Sequence, residues 1–270
     1  MDNKSNAVLI TGVSGGVGFV TAQRFIEQGY QVIGLDINEP KESLEELTFI
    51  KTDITKIEEV INAFNYVKGL GITLKNIIST AGIYNLDSLV EISEEEFIRI
   101  FDINVFSIYR INKTFLPLLE KGGKIIMISS ELAPLDPLPF TGLYAITKST
   151  IEKYAYSLRM ELQLLGYQVV LIRPGAIDTG LIDVSQKKLD KFVFNTNLYQ
   201  TNSQRFVTLL LNGCGGSAHV LAGVARRLAR AVGDGLPSLS IALLGALGRV
   251  VSALSCRLAS AKEGIACALC

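Results

Sequence analysis

The sequence has no excess of either charge. Its 26 lysines and arginines are balanced by 26 aspartates and glutamates, which gives a formal net charge of zero at pH 7. Proteins that bind nucleic acids or acidic membranes carry a basic surplus, so we expect neither kind of partner for the chain as a whole. Hydrophobic residues make up 49% of the chain and charged residues 19%, a composition that supports a packed core and excludes a wholly disordered protein.

Cysteine and histidine are missing from the first 206 residues. All four cysteines and the single histidine, His219, come later in the chain. Cys267 and Cys270 form a C-x-x-C pair, but the other two cysteines do not supply the second ligand pair of a zinc site, and the strand–helix context of a redox motif is lacking. We expect no metal site, and we interpret the cysteines as small apolar residues in a reducing compartment.

The amino terminus lacks the basic segment and following apolar stretch that mark a secretory signal. Residues 1–11 read MDNKSNAVLIT, and their apolar part, 7–10, predicts a first strand. We therefore expect the protein to be cytoplasmic.

Short runs rich in valine and isoleucine alternate with longer amphipathic runs. The candidate strands are residues 8–11, 31–35, 48–51, 76–80, 124–129 and 168–172. The candidate helices are residues 17–28, 56–67, 95–119 and 142–165. This alternation is typical of parallel sheets that are covered on both faces and joined by right-handed crossovers. The sequence predicts a single α/β domain over residues 1–270, with a Rossmann-like doubly wound parallel sheet and helices on both faces.

A glycine-rich turn separates the first predicted strand from the first predicted helix. Gly12 permits a sharp turn, Gly16 lets the backbone approach a pyrophosphate, and Gly18 allows the helix to pack closely on the strand. The start of the helix then offers free N–H groups and a favourable dipole to phosphate. The strand–turn–helix context makes this glycine cluster specific. The predicted cofactor contacts are Thr11, Gly12, Ser14, Gly15, Gly16, Val17 and Gly18.

Asp36 ends the second predicted strand. A carboxylate at this position can bind both hydroxyls of an adenosine ribose, and it would repel a 2′-phosphate. Ile37 and Asn38 follow it and supply no guanidinium group for such a phosphate. The sequence therefore favours NAD over NADP.

Tyr144 and Lys148 stand at i and i+4 in the last predicted helix, so their side chains share one face. A nearby ammonium favours the phenolate and lowers a phenol pKa that is ordinarily near 10. Ser130 follows a predicted strand and is placed to bond to a substrate oxygen. Asn104 lies inside a predicted helix, where asparagine has poor propensity. These four residues are the candidate catalytic set.

Together the motifs resemble the short-chain dehydrogenase/reductase family, in its form with TGxxxGxG, an acidic residue after the second strand, and YxxxK. The resemblance runs from about residue 8 to residue 179, and residues 157–162 and 173–175 resemble its hydroxysteroid and retinol dehydrogenase branch. It implies that Tyr144 is the general acid/base, and that Lys148 lowers its pKa and binds the nicotinamide ribose. It further implies that Ser130 positions the substrate oxygen and that Asn104 holds the water of a proton relay. Ser129 is the alternative hydroxyl; spacing and strand alternation favour Ser130.

The resemblance also implies contacts with the rest of the cofactor. Asp53 matches an aspartate that contacts adenine, and Ile54 would flank the adenine ring. Ala81 and Gly82 match a segment where the backbone approaches the cofactor. The segment that shields the nicotinamide matches Pro174, Gly175, Ile177 and Thr179.

One motif departs from the family pattern. Ser79 and Thr80 stand where the family usually has two asparagines. The change puts local hydrogen bonds of the sheet and loop in doubt, but not the chemistry.

The motifs predict an NAD-dependent oxidoreductase that moves a hydride between a secondary alcohol and nicotinamide while Tyr144 exchanges the hydroxyl proton. By resemblance, residues 180–206 form the substrate lid. An apolar lid favours a bulky substrate, such as a steroid-like or retinoid-like alcohol, although core packing explains the same residues equally. The lid residues are Leu181, Ile182, Phe192, Val193, Phe194 and Tyr199.

Two alternative functions share part of the pattern. One is a non-catalytic dinucleotide-binding regulatory protein, and the other is an epimerase with tightly bound NAD. The resemblance further implies a homodimer or homotetramer, because the family assembles through the helices predicted here at 95–119 and 142–165.

The composition changes near residue 207. All 12 phenylalanines and 9 tyrosines lie at or before Phe206, and residues 207–270 hold a single lysine, Lys262. The charge-free run 206–225 has the length of a membrane span, but its polar residues and glycines disfavour insertion. We expect a last helix over 219–232 and a last strand over 238–244; the arginines there also suit a helix on a membrane surface, and an altered reading frame would give the same composition.

Overall fold

The structure is a computed structural model that describes residues 6–134, 139–175, 196–203 and 241–242. One parallel sheet of seven strands runs through this part, in the order β3-β2-β1-β4-β5-β6-β7. The strands are β1 Ala7–Thr11, β2 Gln31–Asp36, β3 Leu47–Lys51, β4 Leu74–Ser79, β5 Leu119–Ile128, β6 Gln168–Arg173 and β7 Ile241–Ala242. The helices are α1 Gly16–Glu27, α2 Ile57–Gly69, α3 Glu94–Phe101, α4 Ser107–Phe115 and α5 Gly142–Leu162. The predicted doubly wound α/β fold is confirmed.

The sheet is buried on both faces because successive strand residues point to opposite sides. Leu9 and its neighbours on one face pack with apolar residues of α2, α4 and α5, including Phe115. Val8 and Ile10 face the other way and pack with Phe25 of α1. This two-sided burial explains the runs of valine and isoleucine in the sequence.

The helix predicted over 95–119 is divided in the structure. A π-helical turn, Asp102–Phe106, separates α3 from α4, and a short 3₁₀ turn, Leu116–Leu118, follows α4. Strand β5 then begins at Leu119, earlier than predicted, and ends at Ile128. The amphipathic pattern continues across the π turn, so the sequence gives no sign of the division.

The predicted last strand, 238–244, contains β7. Ile241 and Ala242 pair in parallel with Ile172 and Arg173 of β6. The remainder of 204–270, including the helix predicted over 219–232, lies outside the described residues. Within the described ranges, no helix combines the length and apolar character needed to cross a membrane.

The carboxyl ends of four strands meet at one edge of the sheet. Thr11 of β1 pairs with Ser79 of β4, and Ile128 of β5 pairs with Ile172 of β6. The segments that follow these strands are therefore neighbours, as expected for ligand sites in open α/β sheets. They carry the glycine turn, Ala81, Gly82, Ser130, Pro174 and Gly175.

Candidate active site

The turn after β1 requires glycine at two positions. Gly12 has φ +73°, and a Cβ there would lie 2.7 Å from the backbone N and Cα of Ala81. A Cβ at Gly18 would collide with the carbonyl group of Gly12 and lie 2.7 Å from Thr80 Oγ1. Since backbone atoms cannot move aside as a flexible side chain can, both close approaches depend on the missing side chain.

Helix α1 begins directly after this turn. Its N-cap, Gly15, is extended at φ −82° and ψ 160° and has no side chain to cap the helix. Gly15 and Gly16 are exposed. The N–H groups of Gly16, Val17 and Gly18 precede the first intrahelical donor, Phe19, which bonds to the Gly15 carbonyl at 2.7 Å. These N–H groups and the helix dipole can hold a phosphate.

Thr80 ties the loop after β4 to the glycine turn. Its backbone N and its Oγ1 both donate to the Thr11 carbonyl, at 3.2 Å and 2.7 Å. Thr80, which stands where the family usually has an asparagine, therefore makes a side-chain hydrogen bond between the two loops. Among the described residues, no group bonds to the neighbouring buried hydroxyl of Ser79.

Asp36 lies beside the glycine turn at the end of β2. Its Oδ2 accepts from the backbone N of Ser14 at 3.1 Å, and its Oδ1 accepts from the backbone N of Asn38 at 3.1 Å. The Ser14 hydroxyl donates to the Asn38 carbonyl at 2.5 Å. The half-buried carboxylate is thus fixed next to the start of α1.

Asp53 and Ile54 follow β3. Asp53 Oδ1 accepts from the backbone N and the hydroxyl of Thr55, at 3.0 Å and 2.7 Å, and Oδ2 lies 3.6 Å from Lys56 Nζ. Burial raises the pKa of Asp53, but the bonds from Thr55 and the charge of Lys56 outweigh it and lower the pKa overall. Ile54 packs into the hydrophobic core. Their contacts with adenine stay predictions.

Asn104 lies in the π-helical turn and is fully buried. Its Oδ1 accepts from the backbone N of Ile83 at 2.8 Å, and its Nδ2 donates to the Ile83 carbonyl at 3.0 Å and to Thr147 Oγ1 at 3.1 Å. Thr147 in turn donates to the carbonyl of Tyr144 at 2.8 Å. Asn104 therefore joins the loop after β4 to α5. Both amide hydrogens are used, so its predicted relay water would have to meet an oxygen of Asn104.

Tyr144, Lys148 and Ser130 come together at the start of α5. The Tyr144 hydroxyl hydrogen-bonds with the side chain of Ser130. Lys148 Nζ lies 5.6 Å from the centroid of the Tyr144 ring and donates to the Ile128 carbonyl at 3.0 Å. A Cβ placed on Gly82 would lie 3.6 Å from the same Nζ. The structure thus brings three of the four predicted catalytic side chains together. Asn104 does not join them but bonds to Ile83 and to Thr147 of α5.

The pKa of Tyr144 differs from the sequence expectation. Burial raises it to about 12, and the bond with Ser130 only partly opposes this. Burial also lowers the pKa of Lys148 to about 8. In the chain alone the phenol pKa is thus raised and not lowered as expected, because desolvation dominates and Nζ of Lys148 bonds to a backbone carbonyl. The effect of Lys148 with a bound cofactor stays a prediction.

The two candidate hydroxyls point to different partners. Ser129 Oγ donates to Glu152 Oε1 at 2.9 Å, on the inner side of α5. Ser130 bonds to Tyr144 instead. This geometry supports Ser130 as the hydroxyl that faces the substrate.

Aromatic side chains lie beside the Tyr144 ring and near the start of α5. The rings of Tyr84 and Tyr144 have centroids 5.0 Å apart, and those of Phe140 and Tyr199 are 5.2 Å apart. The backbone N of Asp87 donates to the Phe140 carbonyl at 2.9 Å, which brings the loop after Tyr84 to the start of α5. Sequence reasoning included Tyr199 but missed Tyr84, whose only signal is its position just after Ala81, Gly82 and Ile83.

Glu91 holds the segment that carries Tyr199. Its carboxylate accepts from Thr196 Oγ1 at 2.6 Å and from the backbone N of Asn197 and Leu198 at 2.8 Å and 3.0 Å. The bond from Thr196, with the two backbone bonds, lowers the pKa of Glu91. Nothing in the sequence pattern predicts this contact.

The remaining predicted residues follow β6 or lie outside the described ranges. Pro174 and Gly175 follow β6, and the Pro174 carbonyl accepts from the backbone N of Glu131 at 3.0 Å. The described residues include no group of three side chains that could hold a metal ion. The residues outside the described ranges are Ile177, Thr179, Leu181, Ile182, Phe192, Val193 and Phe194.

Comparisons with known proteins show what the chain is similar to. The profile of the short chain dehydrogenase family matches residues 6–190. A 3-ketodihydrosphingosine reductase of Bacteroides thetaiotaomicron is 32% identical over 178 residues, which are 65% of this chain and 65% of the relative. Estradiol 17-beta-dehydrogenase 2 of Mus musculus is 31% identical over 191 residues, 65% of this chain and 49% of the relative.

A solved structure extends the agreement to the fold. A short-chain dehydrogenase from Streptomyces avermitilis has a TM-score of 0.74, covering 97% of this chain and 96% of its own at 24% identity. The chain spans less than two thirds of the length of the two relatives above. The family profile nevertheless covers most of the chain, including the glycine turn, Tyr144 and Lys148. The chain belongs to the short-chain dehydrogenase/reductase family of oxidoreductases.

Proposed function

We propose that the protein is an NAD-dependent dehydrogenase/reductase that interconverts a secondary alcohol and a ketone. The observation that carries the proposal is the meeting of Tyr144, Ser130 and Lys148 at the sheet edge that also holds the glycine turn. A regulatory protein that only binds a dinucleotide needs no such acid–base arrangement.

The chemistry assigned to the chain is a proton exchange. The substrate oxygen lies between the hydroxyls of Ser130 and Tyr144. In alcohol oxidation the phenolate of Tyr144 takes the hydroxyl proton as the carbon loses a hydride, and in ketone reduction the phenol of Tyr144 gives that proton to the substrate oxygen. Proton transfer of this kind contributes about 10²–10⁴ to the rate. Bound NAD supplies the carbon that accepts or donates the hydride.

Lys148 is assigned two tasks. Its Nζ lies near Gly82 and the Tyr144 ring, where it can bond to the nicotinamide ribose. Its positive charge, together with that of an oxidised nicotinamide, opposes the burial that raises the pKa of Tyr144. The buried Lys148 side chain thus contributes to both binding and proton transfer.

The residues present fit a dinucleotide. The exposed start of α1 offers N–H groups to the pyrophosphate, and Gly12 and Gly18 allow the backbone approach that shapes the turn. Asp36 favours NAD because its fixed carboxylate can accept from ribose hydroxyls and repels a 2′-phosphate. Asp53 and Ile54 would contact the adenine. Pro174 and Gly175, with Ile177 and Thr179, would border the nicotinamide.

The substrate class proposed is a bulky, largely apolar alcohol or ketone. Tyr84 provides aromatic surface beside Tyr144, and the paired rings of Phe140 and Tyr199 provide more near the start of α5. One relative is named for 3-ketodihydrosphingosine and another for estradiol, and both names describe molecules of this kind.

The proposal is tested by assaying the full chain with long-chain, steroid and retinoid alcohols and ketones. Each substrate is paired with NAD or NADP, or with their reduced forms, and the absorbance of the reduced cofactor is followed. We expect turnover with at least one bulky substrate and a preference for NAD. Silence across the panel, with both cofactors and in both directions, would contradict the proposed function. NAD that stays bound through buffer exchange would favour the epimerase alternative.

A further inference from the structure

A largely buried ion pair lies on the inner side of α5, next to the proposed catalytic residues; the side chain of Arg173 is 21% exposed. Glu152 is 7% exposed. Its Oε1 accepts from Arg173 Nε at 2.5 Å, and its Oε2 accepts from an Arg173 terminal nitrogen at 2.6 Å. Arg173 also donates to the hydroxyl of Tyr156 at 3.0 Å. Arg173 therefore makes a bidentate ion pair with the carboxylate of Glu152.

Ser129 connects this pair to β5. Its Oγ lies 2.9 Å from Glu152 Oε1 and 3.4 Å from the Lys148 carbonyl oxygen. A hydroxyl has one hydrogen to donate, and the shorter distance assigns it to Glu152. Since Oε1 also accepts from Arg173, one carboxylate oxygen joins groups from β5, α5 and β6.

Each member of this network adjoins a residue of the proposed reaction. Ser129 immediately precedes Ser130, and Glu152 lies one helical turn after Lys148. Arg173 ends β6 immediately before Pro174. Moving Glu152 would therefore disturb the end of β5, helix α5 and the end of β6 together.

Stability alone gives little reason for such an arrangement. Removing two charges from water costs about as much as their attraction returns, and a well-packed apolar replacement is often neutral or stabilising. A buried pair does, however, fix the relative position of the elements that it joins, since a shift leaves charges without partners. Asn104 and Thr147 hold another part of α5, so the helix is attached at two separate points.

We propose that Glu152 is a positioning residue that, through Ser129 and Arg173, sets the placement of Ser130 relative to Tyr144 and Lys148. The proposal rests on the proposed function, because it assigns an effect on proton and hydride transfer. It concerns geometry only, and none of the three network residues is assigned a contact with substrate or cofactor.

The test compares kcat and KM in Ser129→Ala, Glu152→Gln and the double variant. A small misplacement of reacting groups costs up to about 100-fold in rate, so we expect kcat to fall by about 10-fold to 100-fold in each single variant. KM for NAD should change little, since the loss concerns the transition state rather than binding. The double variant should be no slower than the slower single variant, because both changes disturb one connected set of hydrogen bonds around Glu152.

Two controls separate positioning from general destabilisation. Ser129→Thr keeps the hydroxyl and should retain most of the activity. Glu96→Gln removes the charge from a similar two-pronged pair with Arg99, 2.6 Å and 3.1 Å long, on the surface of α3, and should leave kcat unchanged. Thermal melting of every variant, measured at the assay pH, shows whether the chain is folded at the assay temperature.

The outcomes distinguish this proposal from the proposed function. Full kcat in folded Ser129→Ala, or additive losses in the double variant, would overturn the positioning role. Activity loss that follows only the unfolded fraction would overturn it too. If Ser129→Ala is as slow as Tyr144→Phe while Ser130→Ala stays active, Ser129 is the catalytic hydroxyl and the proposal is wrong. A fully active Tyr144→Phe would instead overturn the proposed function itself.

Discussion

At the residue scale, burial displaces the pKa values of Tyr144 and Lys148 in opposite directions. Burial favours the neutral form of both groups, so the pKa of the phenol is about 12 and the pKa of the amine is about 8. The protein thus keeps an acid–base pair in a poorly solvated place, where a nearby charge acts strongly. Such an environment costs stability, and that cost is measurable.

Lys148 should make the stability of the protein depend on pH. Its pKa is about 8 in the folded chain and 10.5 when unperturbed. Between these values the unfolded chain binds the proton and the folded chain does not, so stability rises with pH. From pH 8 to pH 9.5 the rise is at most about 2 kcal/mol. Tyr144 acts in the opposite sense only above pH 10, where its unfolded phenol begins to ionise.

The measurement is urea unfolding of the wild type and Lys148→Met at a series of pH values. The difference in unfolding free energy between the wild type and Lys148→Met should change between pH 8 and pH 9.5. Lys68→Met, which removes an exposed lysine of α2, serves as the control and should follow the wild type. Parallel curves for the wild type and Lys148→Met would contradict the burial of a low-pKa amine.

At the scale of elements, the junction of β1 and α1 depends on backbone contacts that a side chain would block. The Gly12 carbonyl lies where a Gly18 Cβ would be, and Ala81 lies against Gly12. The same junction presents the free N–H groups at the start of α1. Packing and phosphate binding are therefore linked in this turn.

Gly18→Ala should weaken both properties. Forcing a methyl group against the backbone costs about 1–3 kcal/mol, and relief of the collision would move the start of α1 away from the turn. We expect a lower melting temperature and weaker NAD binding by calorimetry. Gly69→Ala is the matched control, since a Cβ there meets nothing within 4 Å, and it should be neutral or slightly stabilising. Equal behaviour of the two variants would contradict this account of the turn.

The same elements show how far the sequence can be read. The strand pattern, the glycine turn and the spacing of Tyr144 and Lys148 depend on local chemistry, and all three were predictable. The π turn at Asn104 was not, because buried residues recur at three- to four-residue steps from Ile100 through Asn104 to Ile108, as they would in an unbroken α-helix. The Glu152–Arg173 pair joins a helix to a strand, and nothing local marks the two residues as neighbours. The direction of the Tyr144 pKa depends on burial, which spacing does not reveal.

At the scale of the whole molecule, apolar side chains remain exposed on α3 and α4. Ile98 is 54% exposed and Tyr109 47%. Phe97 stacks on Phe101 with centroids 5.4 Å apart and is itself partly exposed. Met160 on α5 is 62% exposed. Such surfaces often mark contacts between subunits, and they support the proposal of a homodimer or homotetramer.

A charge on this surface should therefore reduce the assembly. We expect Tyr109→Glu to shift the particle to a smaller mass in light scattering after size-exclusion chromatography, because burying the charge in an interface is costly. Tyr66→Glu, on the exposed side of α2, should leave the mass unchanged. A monomeric wild type would contradict the proposal.

The central claim, that Tyr144 exchanges the substrate proton, is tested most directly by Tyr144→Phe. The substitution removes one oxygen and leaves the ring beside Tyr84. We predict a turnover at least about 100-fold lower, with NAD affinity by calorimetry close to that of the wild type. Tyr66→Phe, at an exposed tyrosine, should keep full turnover. Wild-type turnover in folded Tyr144→Phe would contradict the account.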